Sequence, residues 1–160
     1  MMRIEYLCDH IGFADTVARW IYDEFIAGIK VDLSYEDILA AITKCCRQKL
    51  PMRLIALVDD TCVGTVSLVQ NDLRCREYSP WLAALYVDKD YRNQGIGEQL
   101  INAVIDVARK LGHEKLYLRT EHASDYYRKL GWAFVETCED DYDLKPDVFV
   151  CDFLPGLSQN

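Results

Sequence analysis

The sequence lacks several patterns that would assign a function class at once. It has no run of basic residues, and its 18 Lys and Arg are outnumbered by 26 Asp and Glu, which gives a formal net charge of -8. Such a chain is not expected to bind nucleic acid or an anionic membrane surface. No apolar run approaches membrane-spanning length, and the first residues lack the apolar centre of a signal peptide. We therefore expect a soluble cytoplasmic protein.

Metal-binding and disulfide patterns are also absent. The seven cysteines are an odd set without C-x-x-C spacing or a Cys–His cluster, and the three histidines are scattered. These features argue against a disulfide framework and against a zinc site, so we expect reduced thiols and no metal. There is no G-x-S-x-G and no Cys–His nucleophile pair that spacing supports, so a covalent acyl-enzyme has no basis.

What the chain does contain suits one domain. At 160 residues with 51% hydrophobic content, it is long enough to build a single sizeable core. No internal repeat, low-complexity linker or change in composition divides it. We predict one domain over residues 1–160.

Residues 81–111 carry the most informative pattern in the chain: an apolar strand, a charged loop and an amphipathic helix. From Ile96, apolar residues recur at helical spacing through Leu100, Val104, Ala108 and Leu111. The loop RNQGIG at residues 92–97 therefore ends at a helix N-terminus, where unpaired backbone N–H groups and the helix dipole favour phosphate oxygens.

Two standard phosphate-binding motifs do not fit this loop. A dinucleotide-binding fingerprint needs a third glycine where Leu100 stands, and a Walker loop needs Lys and Ser or Thr where Glu98 and Gln99 follow Gly97. The remaining pattern is Arg-x-x-Gly-x-Gly between a strand and a long helix. The alternative interpretation is that this loop is only a tight turn between strand and helix and binds no ligand.

The other elements alternate in type along the chain. Further strands are predicted at residues 3–8, 53–58, 62–69, 115–119, 132–137 and 148–153, and further helices at residues 15–25, 34–47 and 124–130. The second helix has Ser34 as a candidate N-cap, with Asp37 three residues on. This order predicts a mixed α/β fold.

With SLV, Asp72, PWLAALYV, RNQGIG, LYLRT and YYRKLGW in this order, the chain resembles the GNAT superfamily of acyl-CoA-dependent N-acetyltransferases, among a group of mostly uncharacterised bacterial members. The resemblance implies the GNAT fold: a mostly antiparallel sheet of about six to seven strands, flanked by about four helices, with a splayed strand pair forming the CoA cleft. It also implies acetyl-CoA as cosubstrate and no metal.

The resemblance assigns a set of cofactor-binding positions. The strand before the loop bulges in relatives and pairs with the pantetheine arm, and the backbone N–H at Val87 would face the thioester oxygen. The implied positions are Leu85, Tyr86, Val87, Arg92, Asn93, Gln94, Gly95, Ile96, Gly97, Glu98 and Tyr127.

Catalytic roles follow from the same resemblance. Tyr127 matches the tyrosine that protonates the leaving thiolate in many relatives. Some relatives carry a glutamate base early in the strand where Trp81 stands here, which puts a direct counterpart in doubt. Glu121 and His122 follow the LYLRT strand and are candidate bases, although a solvated Glu and a helix-entry His are equally good interpretations.

The implied function is transfer of an acetyl group from acetyl-CoA to a primary amine by direct attack in a ternary complex. The acceptor could be a small-molecule or peptide amine. The acidic run at residues 139–143 would attract a cation or would simply be solvated. Two alternatives are a non-catalytic acyl-CoA-binding regulatory module and an interaction protein without CoA. A homodimer, common among relatives, stays open.

Overall fold

The computed structural model describes residues 1–44 and 47–153. In that part of the chain, seven strands form one sheet: β1 (Met2–Tyr6), β2 (Met52–Val58), β3 (Thr61–Val69), β4 (Trp81–Val87), β5 (Lys115–Thr120), β6 (Ala133–Thr137) and β7 (Asp147–Asp152). The α-helices are α1 (Ala14–Ile21), α2 (Tyr35–Ile42), α3 (Ile96–Lys110) and α4 (Ser124–Lys129). The predicted mixed α/β class is confirmed.

The sheet is antiparallel except at one strand pair near its centre. Its strand order is β1-β2-β3-β4-β5-β7-β6, and every neighbouring pair is antiparallel except β4 and β5. These two parallel strands share a single residue pair, Trp81 with Tyr117, next to a backbone hydrogen bond from the Tyr117 N–H to the Pro80 carbonyl (3.0 Å). Beyond that point they part, which confirms the predicted splayed pair.

Helices cover both faces of the sheet. The apolar stripe of α3 packs on one face, with Leu100, Val104 and Ala108 at most 1% exposed. Burying a leucine of this kind stabilises the fold by about 2–3 kcal/mol. Helices α1 and α2 pack on the opposite face, where Val17 and Ile38 contact the cluster that contains Ile55. The cleft between β4 and β5 therefore opens between two layers of helices.

A smaller core supports the base of the cleft. Trp81 is 0% exposed and lies in an apolar cluster with Leu73, Cys138 and Val148. Its indole N–H donates to the Tyr78 carbonyl (2.5 Å), so its polar atom is satisfied. This packing fixes the connection between β3 and β4 onto the sheet.

The first two helices differ in length from the prediction. Helix α1 ends at Ile21 and continues as a π-helical turn, Tyr22–Ile26, rather than as α-helix to residue 25. The Ser34 cap is confirmed, with reciprocal bonds between Ser34 and Asp37 of 2.9 and 3.1 Å. Helix α2 ends at Ile42 instead of near residue 47, and its last turn carries a hydrogen bond from the Thr43 hydroxyl to the Ala40 carbonyl (2.9 Å).

The remaining predicted elements agree to within two residues at each end. Cys45 and Cys46 lie outside the described residues, whereas Cys8, Cys62, Cys75, Cys138 and Cys151 are free thiols. Over residues 1–44 and 47–153, no helix combines the length and apolar character needed to cross a bilayer.

Candidate functional site

The edge of β4 that faces the gap is shaped by a β-bulge. Ser67 pairs with Ala83 and Thr65 with Tyr86, so two residues of β4 oppose one residue of β3. The extra residue, Ala84, has φ 52°, a left-handed conformation that is unfavourable for a residue with a side chain. The Ser67 hydroxyl donates to the Ala83 carbonyl (2.9 Å) and holds the bulge. The bulge bends β4 at the point where it parts from β5.

Past the bulge, the backbone of Val87 points into the gap. The Asp88 N–H donates to the Val63 carbonyl (2.8 Å), which makes that pair hydrogen-bonded. Because backbone groups alternate along an antiparallel strand, the N–H and C=O of Val87 are directed away from β3. The Val87 carbonyl accepts a hydrogen bond from Arg92 Nε (2.9 Å). Val87 therefore presents main-chain groups at an open sheet edge.

The glycine loop, residues 92–97, connects this edge to α3. Gly95 has φ 81° and Asn93 has φ 63°, and Gly95 is the N-cap of the helix. A Cβ added to Gly97 would lie 3.4 Å from the Tyr126 hydroxyl and 3.8 Å from a Val87 methyl group. Glycine there keeps open a groove beside the first N–H groups of a 15-residue helix. These groups form a cradle for an anionic ligand.

Two adjacent tyrosines of α4 lie in different surroundings. Tyr127 is 7% exposed, and its ring packs against Trp132 and Phe149. Burial raises its pKa, so the phenol stays protonated at neutral pH. Tyr126 is 42% exposed, and burial together with the nearby Glu98 carboxylate raises its pKa as well. Its hydroxyl is the one beside the glycine loop.

A stack of three side chains borders the loop on the side of α1. The rings of Trp20 and Tyr86 lie 5.3 Å apart, and the Arg92 guanidinium lies 5.3 Å from the Tyr86 ring. The connection between α1 and α2 reaches the far side of the cleft, where Lys30 forms an exposed ion pair with Asp143 (3.6 Å). Aromatic and charged side chains thus line one end of the opening, and an ion pair lies at the other.

A charged cluster lies where β5 diverges from β4. The Arg119 side chain is 14% exposed, and its Nη2 donates to Glu121 Oε1 (3.0 Å) and to Asp140 Oδ2 (2.5 Å). Its Nη1 reaches the Asp72 carbonyl (3.4 Å). We call Asp72, Arg119, Glu121 and Asp140 the Arg119 cluster. Three carboxyl groups around one guanidinium make this wall of the cleft acidic.

Asp140 organises the loop between β6 and β7 rather than being solvated. Its other oxygen accepts the N–H groups of Tyr142 and Leu144, both at 2.9 Å. Burial alone would raise its pKa, but the bonds from Arg119 and from those N–H groups outweigh burial and lower it. The acidic run at residues 139–143 is therefore partly structural.

The predicted site residues of β4, of the glycine loop and of the segment after β5 lie on two sides of the cleft. Leu85, Tyr86, Val87 and the glycine loop form its β4 side, and Glu121 lies at its β5 side as a partner of Arg119. His122 is exposed on the turn before α4, and Trp81 is core. Among the described residues, no group of three or more His, Cys, Asp or Glu is arranged to hold a metal ion.

This arrangement has counterparts among known proteins. A family model described as "Acetyltransferase (GNAT) family" matches residues 14–132. The chain belongs to the GNAT acetyltransferase family. N-alpha-acetyltransferase 30 of Schizosaccharomyces pombe is 33% identical over 83 residues, which are 49% of this chain and 55% of that protein. The matched segment thus spans about half the length of that relative.

Solved structures of other GNAT proteins share the fold. An aminoglycoside 6'-N-acetyltransferase complexed with coenzyme A has a TM-score of 0.74 at 16% identity, covering 96% of this chain and 98% of that one. N-acetylglutamate synthase from Neisseria gonorrhoeae, complexed with coenzyme A and N-acetyl-glutamate, has a TM-score of 0.65 at 17% identity, covering 96% and 35%. The predicted GNAT fold is confirmed.

The sequence analysis gave no individual site role to three of the residues that the structure brings to the cleft. Arg119 had a detectable signal, because it is a charged residue inside an alternating apolar strand. Asp72 lies in a polar connection, and Asp140 lies in an acidic run that resembles a solvated turn. Neither has a local pattern that places it beside Arg119.

Proposed function

We propose that this GNAT protein binds acetyl-CoA between β4 and β5 and transfers the acetyl group to a primary amine by direct attack in a ternary complex. The observation that carries the proposal is the open main-chain edge at Val87, continuous with a glycine-bordered helix N-terminus. Acetyl-CoA matches both parts of this surface, because its thioester and amide-rich arm suit the strand edge and its pyrophosphate suits the helix N-terminus.

Backbone groups would make most of the cofactor contacts. Leu85 and Val87 offer the strand edge for the pantetheine amides, and Tyr86 between them, whose backbone pairs with Thr65, borders the cofactor with its ring. The N–H groups at Ile96, Gly97 and Glu98 receive the pyrophosphate. Arg92 uses Nε for Val87, which leaves its two Nη groups for phosphate oxygens. Asn93, Gln94 and Gly95 shape the turn. Acetyl-CoA supplies the activated acetyl group when bound.

The chemistry then needs an oxyanion donor and a proton donor. The Val87 N–H, directed into the gap, stabilises negative charge on the thioester oxygen without reorganisation. Tyr127 holds a protonated phenol in a buried setting and gives its proton to the departing thiolate. Glu121 and His122 stay candidates for receiving the amine proton.

The acceptor side favours a cationic amine. The Arg119 cluster places three carboxyl groups around one guanidinium, so a protonated amine is attracted to it. Named relatives act on chemically different amines, as the names N-alpha-acetyltransferase and aminoglycoside 6'-N-acetyltransferase state. The acceptor proposed here is therefore the class of primary amines.

The free thiols are consistent with a cytoplasmic location.

The test measures binding and turnover separately. The thermal midpoint of the purified protein is recorded with and without acetyl-CoA, and free thiol release is then followed with a polyamine, an aminoglycoside, a free amino acid and a peptide with a free N-terminus. A ligand at a hundredfold its Kd adds about 2.7 kcal/mol of stability. An upward shift with amine-dependent thiol release supports the proposal, and no shift contradicts it.

A regulatory module is the second candidate. It is favoured by Trp81, which occupies the position of the glutamate base of some relatives and is entirely buried. This candidate predicts an upward thermal shift but no thiol release with any amine. The same two measurements therefore distinguish an enzyme from a CoA-binding module.

A further inference from the structure

The connection between β3 and β4 carries a carboxyl group to the β5 side of the cleft. Leu73, 2% exposed, anchors this connection in the small core, and its N–H donates to Asn71 Oδ1 (2.9 Å). Asp72, between these two residues, is partly buried, and its carbonyl contacts Arg119. Asp72 is thus held at the wall where β5 has left β4.

The three carboxyl groups of the Arg119 cluster are not equivalent. Glu121 and Asp140 both accept hydrogen bonds from Nη2 of Arg119, and Asp140 also accepts two backbone N–H groups. Within residues 1–44 and 47–153, the Asp72 carboxyl forms neither a hydrogen bond nor an ion pair. The carboxyl of Asp72 therefore has no internal hydrogen-bond partner in the described residues, whereas those of its two neighbours are engaged.

The charged groups that act on Asp72 are those of the cluster. Burial raises its pKa to about 7, since the charged form loses hydration; Arg119 opposes this rise and Glu121 adds to it. A base works best when its pKa lies near the working pH, because it is then often unprotonated and still accepts a proton readily. The environment of Asp72 meets this requirement.

We propose that Asp72 is the general base of the acetyl transfer, taking the proton from the acceptor ammonium directly or through one water. This inference rests on the proposed function. The ammonium gives one proton to Asp72 and becomes a neutral amine, whose nitrogen forms a bond to the acetyl carbon as the carbon–sulfur bond breaks. The nitrogen loses a second proton as the amide forms, and that proton restores the Tyr127 phenol after the phenol has protonated the leaving thiolate. Asp72 returns its own proton to solvent.

This assignment explains how the site can work without a glutamate at position 81. The strand position is filled by a tryptophan that the core requires, and the base comes instead from the next loop back along the chain. Arg119 then has a positioning role, since it ties Glu121 and Asp140 together and contacts the backbone of Asp72. Glu121 and Asp140 are left to attract the cation.

The experiment compares four proteins on whichever amine the wild type acetylates fastest: wild type, Asp72→Asn, Glu121→Gln and Asp60→Asn. Asp60 is an exposed carboxylate in the β2–β3 turn, so it controls for the loss of one negative charge. The thermal shift with acetyl-CoA checks folding and cofactor binding in each. Asp72→Ser provides a second variant if Asp72→Asn does not fold. The readout is kcat/KM from pH 6 to pH 10.

We expect Asp72→Asn to lose about 100-fold in kcat/KM at pH 7 with an unchanged acetyl-CoA shift. The deficit should shrink as the pH approaches the pKa of the amine, about 10 for a lysine-like group, because solvent then supplies the neutral amine. Asp60→Asn should match the wild type, and Glu121→Gln, which loses a charge that attracts the cation, should show a deficit that does not shrink towards high pH.

Three results would overturn the assignment. An undiminished rate in Asp72→Asn excludes Asp72 as the base. A deficit that is the same at all pH values assigns Asp72 a structural role, and a pH-dependent deficit in Glu121→Gln alone transfers the role to Glu121. If the wild type binds acetyl-CoA but acetylates no amine, the proposed function fails and this inference fails with it. In the other three cases the wild type is active, so the two kinds of failure are distinguishable.

Discussion

The β4 side of the cleft consists of main-chain groups from one continuous stretch, residues 85–98, with the Tyr126 hydroxyl beside it. The β5 side, the Arg119 cluster, consists of side chains that three separate segments contribute. A surface of backbone amides recognises a ligand by its own amides and phosphates, whereas the β5 side recognises charge through side chains that three distant segments bring together. The two sides therefore call for different tests.

The largest effect should come from closing the β4 side. Gly97→Leu places a side chain in the groove between Tyr126 and Val87, where a Cβ alone already has neighbours at 3.4 and 3.8 Å. We expect the acetyl-CoA thermal shift to disappear while the protein stays folded. Gly12→Leu is the control, since Gly12 has no atom within 4 Å of an added Cβ. A normal shift in Gly97→Leu would contradict the placement of the cofactor.

Disrupting the other side should affect stability but not cofactor binding. Arg119→Met leaves Asp140, whose side chain is 3% exposed, without its cationic partner. We expect a loss of about 2–3 kcal/mol in the free energy of unfolding with an unchanged Kd for acetyl-CoA. In the control Arg74→Met, an exposed pair with Asp141 at 3.9 Å is removed, and the loss should be under about 1 kcal/mol. Equal losses in the two variants would refute a structural role for the cluster.

Asp72 should make stability depend on pH. Its pKa rises from 3.8 in the unfolded reference to about 7 in the fold, so the folded state binds the proton more tightly and stability falls as the pH rises between those values. The slope due to this group is about 1.4 kcal/mol per pH unit, and it ends above pH 7. Urea unfolding of wild type and Asp72→Asn from pH 4.5 to 8 should show the variant gaining relative stability over that interval. Parallel curves would show that the pKa of Asp72 is not raised.

The smallest effects on rate and binding are expected for the two adjacent tyrosines of α4, Tyr126 and Tyr127. Tyr127→Phe should lower the transfer rate about tenfold, with unchanged acetyl-CoA affinity, because a proton donor is lost and the packing is kept. Tyr126→Phe should instead weaken acetyl-CoA binding slightly, since its hydroxyl lies beside Gly97. Stopped-flow rates and binding isotherms for both variants test this division. The opposite pattern would move the acid role to Tyr126.

Local patterns predicted most of the fold. The helical spacing from Ile96 to Ala108 gave α3, and the pairing of Ser34 with Asp37 gave the start of α2. The end of α2 was predicted too late: the structure ends the helix at Ile42, not near residue 47. Periodicity locates elements better than it locates their ends.

The sequence by itself located the β4 side, because a strand, two glycines and a helix start are contiguous in the chain, although the bulge and the open edge depend on pairing with β3 and separation from β5. Only the tertiary structure decided that Asp72, Arg119, Glu121 and Asp140 meet. Their proximity depends on how three connections fold over the parted strands, and burial at that meeting point sets the pKa of Asp72. Neither quantity has a local signature in the chain, because both arise from long-range packing.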